Sequence, residues 1–154
     1  MRVKTKSNKN SIVETMGTMN ISKVLLELKS SNIEDTINEM VAASSVTNKE
    51  GVAKAVLQRE AEGATYIGNG ISIPHAKSSL ITKGEAIIGR STKGIEWKDG
   101  KSHIVVLVLS PTGVSGPHVI FLSEIVKLLS SKESRDEIME AKNEDEIWEV
   151  FAAL

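Results

Sequence analysis

The chain has 154 residues, of which 40% are hydrophobic and 25% charged, and its formal net charge is −1. This length suits one domain with a sizeable core, and the near-neutral charge argues against a nucleic-acid-binding protein, which needs a basic excess. The sequence has no cysteine, which excludes disulfides and thiolate metal sites, and no apolar run reaches the ~20 residues of a membrane span, so we expect a cytoplasmic domain without membrane insertion.

Residues 1–18 are rich in Lys, Asn, Ser and Thr and carry few apolar side chains. No apolar stretch follows the basic first residues, so this segment does not have the pattern of a signal peptide. We interpret 1–18 as a flexible N-terminal arm or a remnant of cloning, followed by one domain over 19–154.

The first predicted elements of the domain are a strand and two helices. Lys23–Leu28 is a short apolar run that suits a buried strand. A helix follows a cap at Ser31 or Asn32, and its apolar residues at helical spacing are Ile33, Ile37, Met40 and Val41. A second helix runs from about Asn48 to just before Gly63, and the residues along one side of it are Val52, Ala55, Val56 and Arg59.

The middle of the chain has the pattern of strands and the last third that of helices. Three strands are predicted at 71–74, 85–91 and 103–110, with turn residues at 94–101 between the last two. Ser115-Gly116-Pro117 opens a helix whose apolar stripe is Leu122, Ile125, Val126 and Leu129. Two shorter helices follow, and the order β-α-α-β-β-β-α-α-α indicates an α+β fold, a three-layer sandwich with helices on both faces of the sheet.

His75 is the first candidate site residue, because of the residues that precede it. Pro74 favours an extended backbone at Ile73 and removes one backbone donor, as at the end of a strand, where a side chain reaches a loop-lined cleft. Gly68-Asn69-Gly70 allows a tight turn whose N–H groups can bind an anion. The same segment is also compatible with a simple turn followed by a strand.

His118 and Arg59 are the other two candidates. His118 falls in the first turn of the helix opened by Pro117, where the helix dipole disfavours imidazolium, and it shares a side with apolar residues that face the sheet. Arg59 lies near the end of a helix and is either a solvated edge residue or a phosphoryl-binding guanidinium turned towards a cleft. His103, at the edge of a strand, is interpreted as a structural or surface residue.

Other patterns of catalytic sites are missing from the sequence. GNG at 68–70 lacks the third glycine of GxGxxG, and there is no GxxxxGK[ST], HExxH or GxSxG. The three histidines lack metal-ligand spacing, which argues against a zinc site. Two histidines and an arginine therefore remain around a candidate anion site, and an imidazole can itself be a nucleophile.

The segment LQREAEGATYIGNGISIPHAK, residues 57–77, closely resembles the signature of the fructose/mannitol-type enzyme IIA domains of the bacterial phosphoenolpyruvate-dependent sugar phosphotransferase system. Residues 117–151 resemble the C-terminal segment of that family, so the resemblance covers roughly 20–154. Tyr66, at a position often held by glycine, and the Lys-rich arm depart from the family pattern. The resemblance implies a three-layer α/β/α sandwich with a mixed sheet, in agreement with the predicted element order.

The resemblance also implies roles for individual residues. His75 would be the acceptor phosphorylated by the phosphocarrier HPr, as a tele-phosphohistidine, with His118 as the neighbouring histidine of the active centre. Arg59 would support the phosphoryl group, and the phosphoryl-binding loop would be Gly68, Asn69 and Gly70. Thr65 and Glu60 belong to the same motif as supporting residues. No cofactor or metal is required.

The implied activity is that of a phosphotransferase acting between two proteins. HPr is the donor, a sugar-specific IIB domain is the acceptor, and association with a membrane IIC component is compatible with this role. We expect a shallow apolar patch around His75 where the two proteins dock in turn. Two alternatives stay open: a nitrogen-type regulatory IIA protein whose phosphorylation state controls protein partners, and a non-enzymatic binding module of the same fold.

Overall fold

The computed structural model describes residues 19–113, 116–152 and 154, so the predicted arm over 1–18 and Ser115 lie outside the described residues. The elements within these ranges are β1 (Ile21–Leu25), α1 (Ile33–Ala42), α2 (Lys49–Glu62), β2 (Tyr66–Gly68), β3 (Ile71–Ser72), β4 (His75–Lys77), β5 (Glu85–Trp97), β6 (Gly100–Ser110), α3 (Gly116–Leu129), α4 (Lys132–Glu140) and α5 (Glu144–Phe151). The predicted order is confirmed, and the central block of strands is divided into five strands where the sequence indicated three.

Polar side chains fix where the first two helices begin. The side chain of Asn32 accepts a hydrogen bond from the backbone N–H of Asp35 at 2.8 Å, so the cap is Asn32 and not Ser31. Asn48 accepts from the N–H of Gly51 at 2.8 Å in the same way. Each bond satisfies a donor that the first helical turn leaves free, which is why short polar residues predict helix starts well.

The strands form one mixed sheet in the order β1-β5-β6-β3-β2, and β4 pairs with β6 beyond β3. Strand β6 lies antiparallel to β5 and parallel to both β3 and β4. Pro74 lies between β3 and β4, where its missing N–H interrupts the ladder along this edge of β6. His75 therefore begins a strand, whereas the sequence predicted that it follows the end of one.

The core is divided between the two faces of the sheet. Along β6, Val105, Leu107 and Leu109 pack on the side of α1 and α2. The alternate residues Ile104, Val106 and Val108 pack on the side of α3, α4 and α5. A strand that is apolar on both faces must be covered by helices on both faces, and the predicted three-layer α/β/α sandwich is confirmed.

Two local predictions need correction. The segment 94–101 is not a turn as a whole, because β5 continues to Trp97 after a register shift between Arg90 and Ile95. Ile95 and Trp97 are buried, so their burial in the sheet outweighs the turn-forming residues around them. In α3, Val126 is 42% exposed, and the stripe that reaches the core is Phe121, Ile125 and Leu129.

None of the helices in the described part of the chain combines the length and the apolarity that a membrane span needs.

Candidate functional site

His75 is held by its own backbone neighbourhood. Its Nδ1 lies 2.8 Å from the carbonyl oxygen of Ile73, and because a carbonyl can only accept, Nδ1 must carry the proton. In the neutral ring the lone pair is then on Nε2, the nitrogen on the other side of the ring. The side chain is partly exposed and lines a surface groove, so the structure presents a fixed tautomer at an accessible position.

His118 is the second histidine of the site and is almost fully buried, with 4% of the residue exposed. Its ring centroid lies 6.0 Å from that of His75, and the two ring planes make an angle of 61°. Its Nδ1 forms a short hydrogen bond with the hydroxyl of Ser110, at the end of β6. The ring therefore faces the sheet, as its position in the predicted helix implied.

The pKa of His118 lies below its ordinary value of 6.5. Burial is the largest cause of the lowered pKa, because it removes water from the charged ring, and electrostatic interactions with His75 and with Lys77 lower it further. The predicted bias towards the neutral form is confirmed, with burial as its main cause. A neutral His118 places one hydrogen-bond donor beside His75 without adding a further charge.

We expect this lowered pKa to make the fold less stable in acid. Well above pH 6.5, the ordinary pKa, His118 is neutral in both the folded and the unfolded chain. Below it the unfolded chain binds the proton more readily, so the free energy of unfolding falls until the pH drops below the folded-state pKa and then levels off. Urea unfolding of the wild type between about pH 8 and about pH 5 measures this loss.

A matched pair of variants isolates the contribution of His118 to this pH dependence. His118→Asn should remove part of the loss, since asparagine stays neutral throughout. His103→Asn, which changes a histidine outside the site, should retain the contribution of His118. Identical pH dependence in the wild type and in His118→Asn would contradict the assignment.

Charged and polar side chains line the groove around His75. It has a volume of about 500 Å³ and is lined by Ala55, Gln58, Arg59, Glu62, His75, Ala76, Lys77 and His118. Arg59 thus lines the cleft, and its binding of a phosphoryl group stays a prediction. One of its terminal nitrogens donates to the carbonyl of Gly63 at 2.9 Å, which anchors the guanidinium at the end of α2.

Lys77 and Ser110 belong to this site and were not predicted. Lys77 lies two residues after His75 on β4 and so has its side chain on the same face, and its register partner across the sheet is Ser110. The alternation of a strand through His75, Ala76 and Lys77 was a usable signal for Lys77. Ser110 gave no local signal, because its place beside His118 depends on how α3 packs over β6.

The loop Gly68-Asn69-Gly70 does not border His75. All three residues have positive φ angles, 93°, 56° and 77°, so the predicted tight turn is there. The carbonyl of Gly70, however, accepts from the N–H groups of His103 and Ile104, whereas His75 aligns with Val108. The distance along β6 from His103 to Val108 is about 16 Å. The loop therefore lies towards the other end of the strand, and we do not assign it to the phosphoryl site.

Glu60 and Thr65 form a buried hydrogen-bond network with Trp97. The carboxylate of Glu60 accepts from the N–H and the hydroxyl of Thr65, both at 2.7 Å, and from the indole N–H of Trp97 at 2.9 Å. Both residues are at least nine-tenths buried. This geometry ties the end of α2, which carries Arg59, to the residue before β2 and to β5, and it supports a structural role for the pair.

The arrangement places the imidazole of His75, whose Nδ1 carries a hydrogen, next to cationic side chains in an accessible groove. Arg59 and Lys77 offer positive charge to an anion, and His118 offers a neutral ring. Among the described residues, no cluster of three or more His, Asp or Glu side chains is arranged to hold a metal ion. The arrangement is suited to binding an anion beside the imidazole of His75.

Comparison with known proteins identifies similar sequences along nearly the whole chain. Residues 18–153 match the family model described as phosphoenolpyruvate-dependent sugar phosphotransferase system, EIIA 2. The chain is 32% identical over 135 residues to the fructose-specific EIIABC component of Bacillus subtilis; the match covers 83% of this chain but only 21% of that relative. It is 33% identical over 123 residues to the mannitol-specific enzyme IIA component of Staphylococcus aureus, covering 77% and 81%.

Solved structures show the same fold. The nitrogen regulatory protein IIA-Ntr of Neisseria meningitidis matches with a TM-score of 0.79 at 21% identity, over 90% of this chain and 99% of that one. The complex of enzyme IIAMTL and phosphorylated enzyme IIBMTL from Escherichia coli matches with a TM-score of 0.73 at 16% identity, over 88% and 99%. At these identities the likeness shows a shared fold.

Proposed function

The chain belongs to the EIIA 2 family of the phosphoenolpyruvate-dependent sugar phosphotransferase system, and from that membership we propose that it accepts a phosphoryl group from phospho-HPr on His75 and passes it to a IIB domain. The observation that carries the proposal is the hydrogen bond from Nδ1 of His75 to the carbonyl of Ile73. It leaves the lone pair on Nε2, in a groove that also holds Arg59 and His118.

In the proposed reaction, Nε2 of His75 attacks the phosphorus atom of phospho-HPr in line. The new N–P bond forms as the N–P bond of the donor breaks, and the donor imidazole leaves with its electron pair. No proton has to move at His75, because Nδ1 keeps its hydrogen and the carbonyl of Ile73 stabilises the positive charge that develops on the ring. The product is a tele-phosphohistidine, and transfer to IIB repeats the step with His75 as the leaving group.

The remaining groups of the groove would stabilise charge. Loose phosphoryl transfer depends mainly on positioning and on neutralising the oxygens of the phosphoryl group. Arg59 supplies a planar fork of donors, and Lys77 supplies a second cation. His118 supplies a neutral donor, which binds the phosphoryl oxygens without holding them as tightly as a further charge would. A phosphoryl group that must leave again benefits from this balance.

An apolar surface beside the site is suited to docking a protein donor and a protein acceptor in turn. Val119 and Ile120, which directly follow His118 on α3, are 57% and 52% exposed. Together with the polar groove they give a docking area that has an apolar part and a charged part. Transient protein pairs form interfaces of modest size, to which such an area corresponds. This refines the predicted shallow apolar patch, since the groove itself is polar.

The named relatives favour a transport role over a regulatory one. Proteins named for fructose and for mannitol share 29–33% identity with this chain. The likeness to IIA-Ntr is one of fold at 21% identity. In the solved complex a mannitol IIA protein is paired with a phosphorylated IIB protein, which supports a IIB domain as acceptor. We place the reaction in the cytoplasm, beside a membrane IIC component.

The test is a phosphoryl relay with purified components. Labelled phosphoenolpyruvate, enzyme I and HPr should label the chain, and addition of a fructose-type or mannitol-type IIB domain should remove the label from the chain within the assay time. Label that is accepted by the chain but passed to neither type of IIB domain would contradict the transport function. Label that never enters the chain would contradict the phosphoryl-carrier function altogether.

Two matched isoleucine variants test the docking surface in the same relay. Ile120→Asp places a charge beside His118 and should slow both transfer steps, mainly through a higher KM for HPr. Ile67→Asp changes an isoleucine that is 45% exposed on β2, the strand that leads into the loop Gly68-Asn69-Gly70. Because this loop lies away from His75, the variant should leave both transfer steps unchanged. Equal effects of the two variants would exclude the surface at Ile120.

A further inference from the structure

Ser110 is buried next to the site and has two neighbours for its hydroxyl. It is the last residue of β6, with no exposed surface, and its Oγ forms a short hydrogen bond with Nδ1 of His118. The sulfur of Met19 lies 3.8 Å from the same Oγ. The direction of the bond to His118 decides which nitrogen of that ring carries the proton.

The two directions have different chemical consequences. If the Ser110 hydroxyl donates to Nδ1, the proton of neutral His118 is on Nε2, which can donate to a phosphoryl oxygen. If Nδ1 donates to Ser110, Nε2 has a lone pair that would repel the same oxygen, and the serine hydrogen is left with the sulfur of Met19. An imidazole nitrogen is a stronger acceptor than a thioether, so the first direction is favoured.

We propose that Ser110 is a positioning residue that fixes His118 as the Nε2–H tautomer, so that His118 can donate a hydrogen bond to a phosphoryl group on His75. This inference rests on the proposed function for its purpose, but the tautomer is a property of the unphosphorylated chain. The roles of the two histidines then differ through their Nδ1 partners. A carbonyl makes Nδ1 of His75 the donor, and a hydroxyl makes Nδ1 of His118 the acceptor.

A fixed tautomer matters at His118 because the ring is buried and neutral. A buried neutral imidazole with two exchanging tautomers would present a donor for only part of the time. A single partner fixed on a strand removes that exchange, because the hydrogen bond at one ring nitrogen sets which of the two nitrogens is protonated. Burial is the largest cause of the lowered pKa of His118, and the positive charge of Lys77, opposite Ser110 in register, acts in the same direction.

Nitrogen-15 NMR of the histidine-labelled full chain, without phosphate, tests the tautomer directly. We expect the wild-type His118 to show a protonated Nε2 and an unprotonated, hydrogen-bonded Nδ1. We expect His75 to show a protonated Nδ1, because that nitrogen donates to a carbonyl. A protonated Nδ1 at His118 would overturn the proposal whatever the outcome of the phosphoryl relay. A chain that shows the expected tautomer but takes no label would instead overturn the proposed function alone.

Variants of two buried serines on β6 complete the test. Ser110→Ala should shift both ring nitrogens of His118 and slow transfer to the IIB domain about 10-fold, and Ser110→Thr, which keeps the hydroxyl, should restore the wild-type shifts. Ser102→Ala removes an equally buried hydroxyl, one that is bonded to Ser72, and should change neither measurement. Unchanged His118 shifts in Ser110→Ala would refute the positioning role.

Discussion

Replacing His75 with asparagine should reduce the incorporation of label from phosphoenolpyruvate, enzyme I and HPr by roughly 1,000-fold or more, because the variant has no nucleophilic nitrogen at the reacting position. Asparagine is chosen because its side-chain amide can still donate to the carbonyl of Ile73, the partner of His75 Nδ1. The fold around β4 should therefore persist, and the loss should be one of chemistry. Acid-labile label on the intact chain, followed over time, is the measurement.

His103 provides the matched control for this experiment. Its Nδ1 also lies 2.8 Å from a backbone carbonyl, that of Ser91, so the neutral ring has its hydrogen on Nδ1 and its lone pair on Nε2, as in His75. Its ring lies beside Gly70 and Gly94, away from Arg59 and His118. His103→Asn should accept label at the wild-type rate. Loss of label in this variant and not in His75→Asn would move the acceptor to the other end of the sheet.

The comparison of these two histidines shows what the sequence could and could not predict about the site. Both histidines lie next to predicted strands. Only His75 is preceded by a proline and falls within the family signature, and these two signals made it a candidate site residue. His118 could be placed beside the sheet because a helix start at Pro117 and an apolar stripe are both local signals. Local signals of this kind also gave the order of elements and the three layers.

The glycine loop shows why proximity in sequence misleads in a sheet. Gly70 and His75 are close along the chain, yet β3 and β4 follow each other along the same strand, β6, so the chain moves away from the loop as it reaches His75. The parallel register that produces this separation is set by the packing of the whole sheet and has no signature in residues 68–75. For the same reason, the sequence could not predict that Ser110 lies beside His118.

Buried polar contacts across long sequence separations were equally out of reach. Arg90 donates to the carbonyls of Ile138 and Ala141 at the end of α4, and Glu85 accepts from the hydroxyls of Ser22 and Ser45. Each charged residue sits in a run that the sequence identifies only as a strand. Their partners become neighbours when the layers close, so the pairing could be known only from the fold.

Glu60 provides the second large effect, and it concerns stability. Glu60→Ala leaves the N–H and the hydroxyl of Thr65 and the indole N–H of Trp97 without their acceptor, all in a buried region. Each buried donor that loses its partner costs about 1–3 kcal/mol, so we expect the free energy of unfolding to fall by about 3–5 kcal/mol. Urea unfolding of the variant against the wild type, at a pH near neutrality, measures the change.

Glu60→Gln separates this structural role from a role in phosphoryl transfer. The carbonyl oxygen of glutamine can still accept from the backbone of Thr65 and from Trp97, since both donate to the same carboxylate oxygen of Glu60. The hydroxyl of Thr65 can turn and accept from the new amide nitrogen, so the loss should be only about 1 kcal/mol. Because the charge is removed and the network kept, the rate of label uptake per folded molecule should stay within about threefold of the wild type. A Glu60→Gln chain that is stable but takes up label far more slowly would contradict the structural role. It would show that the negative charge of Glu60 itself acts in phosphoryl transfer.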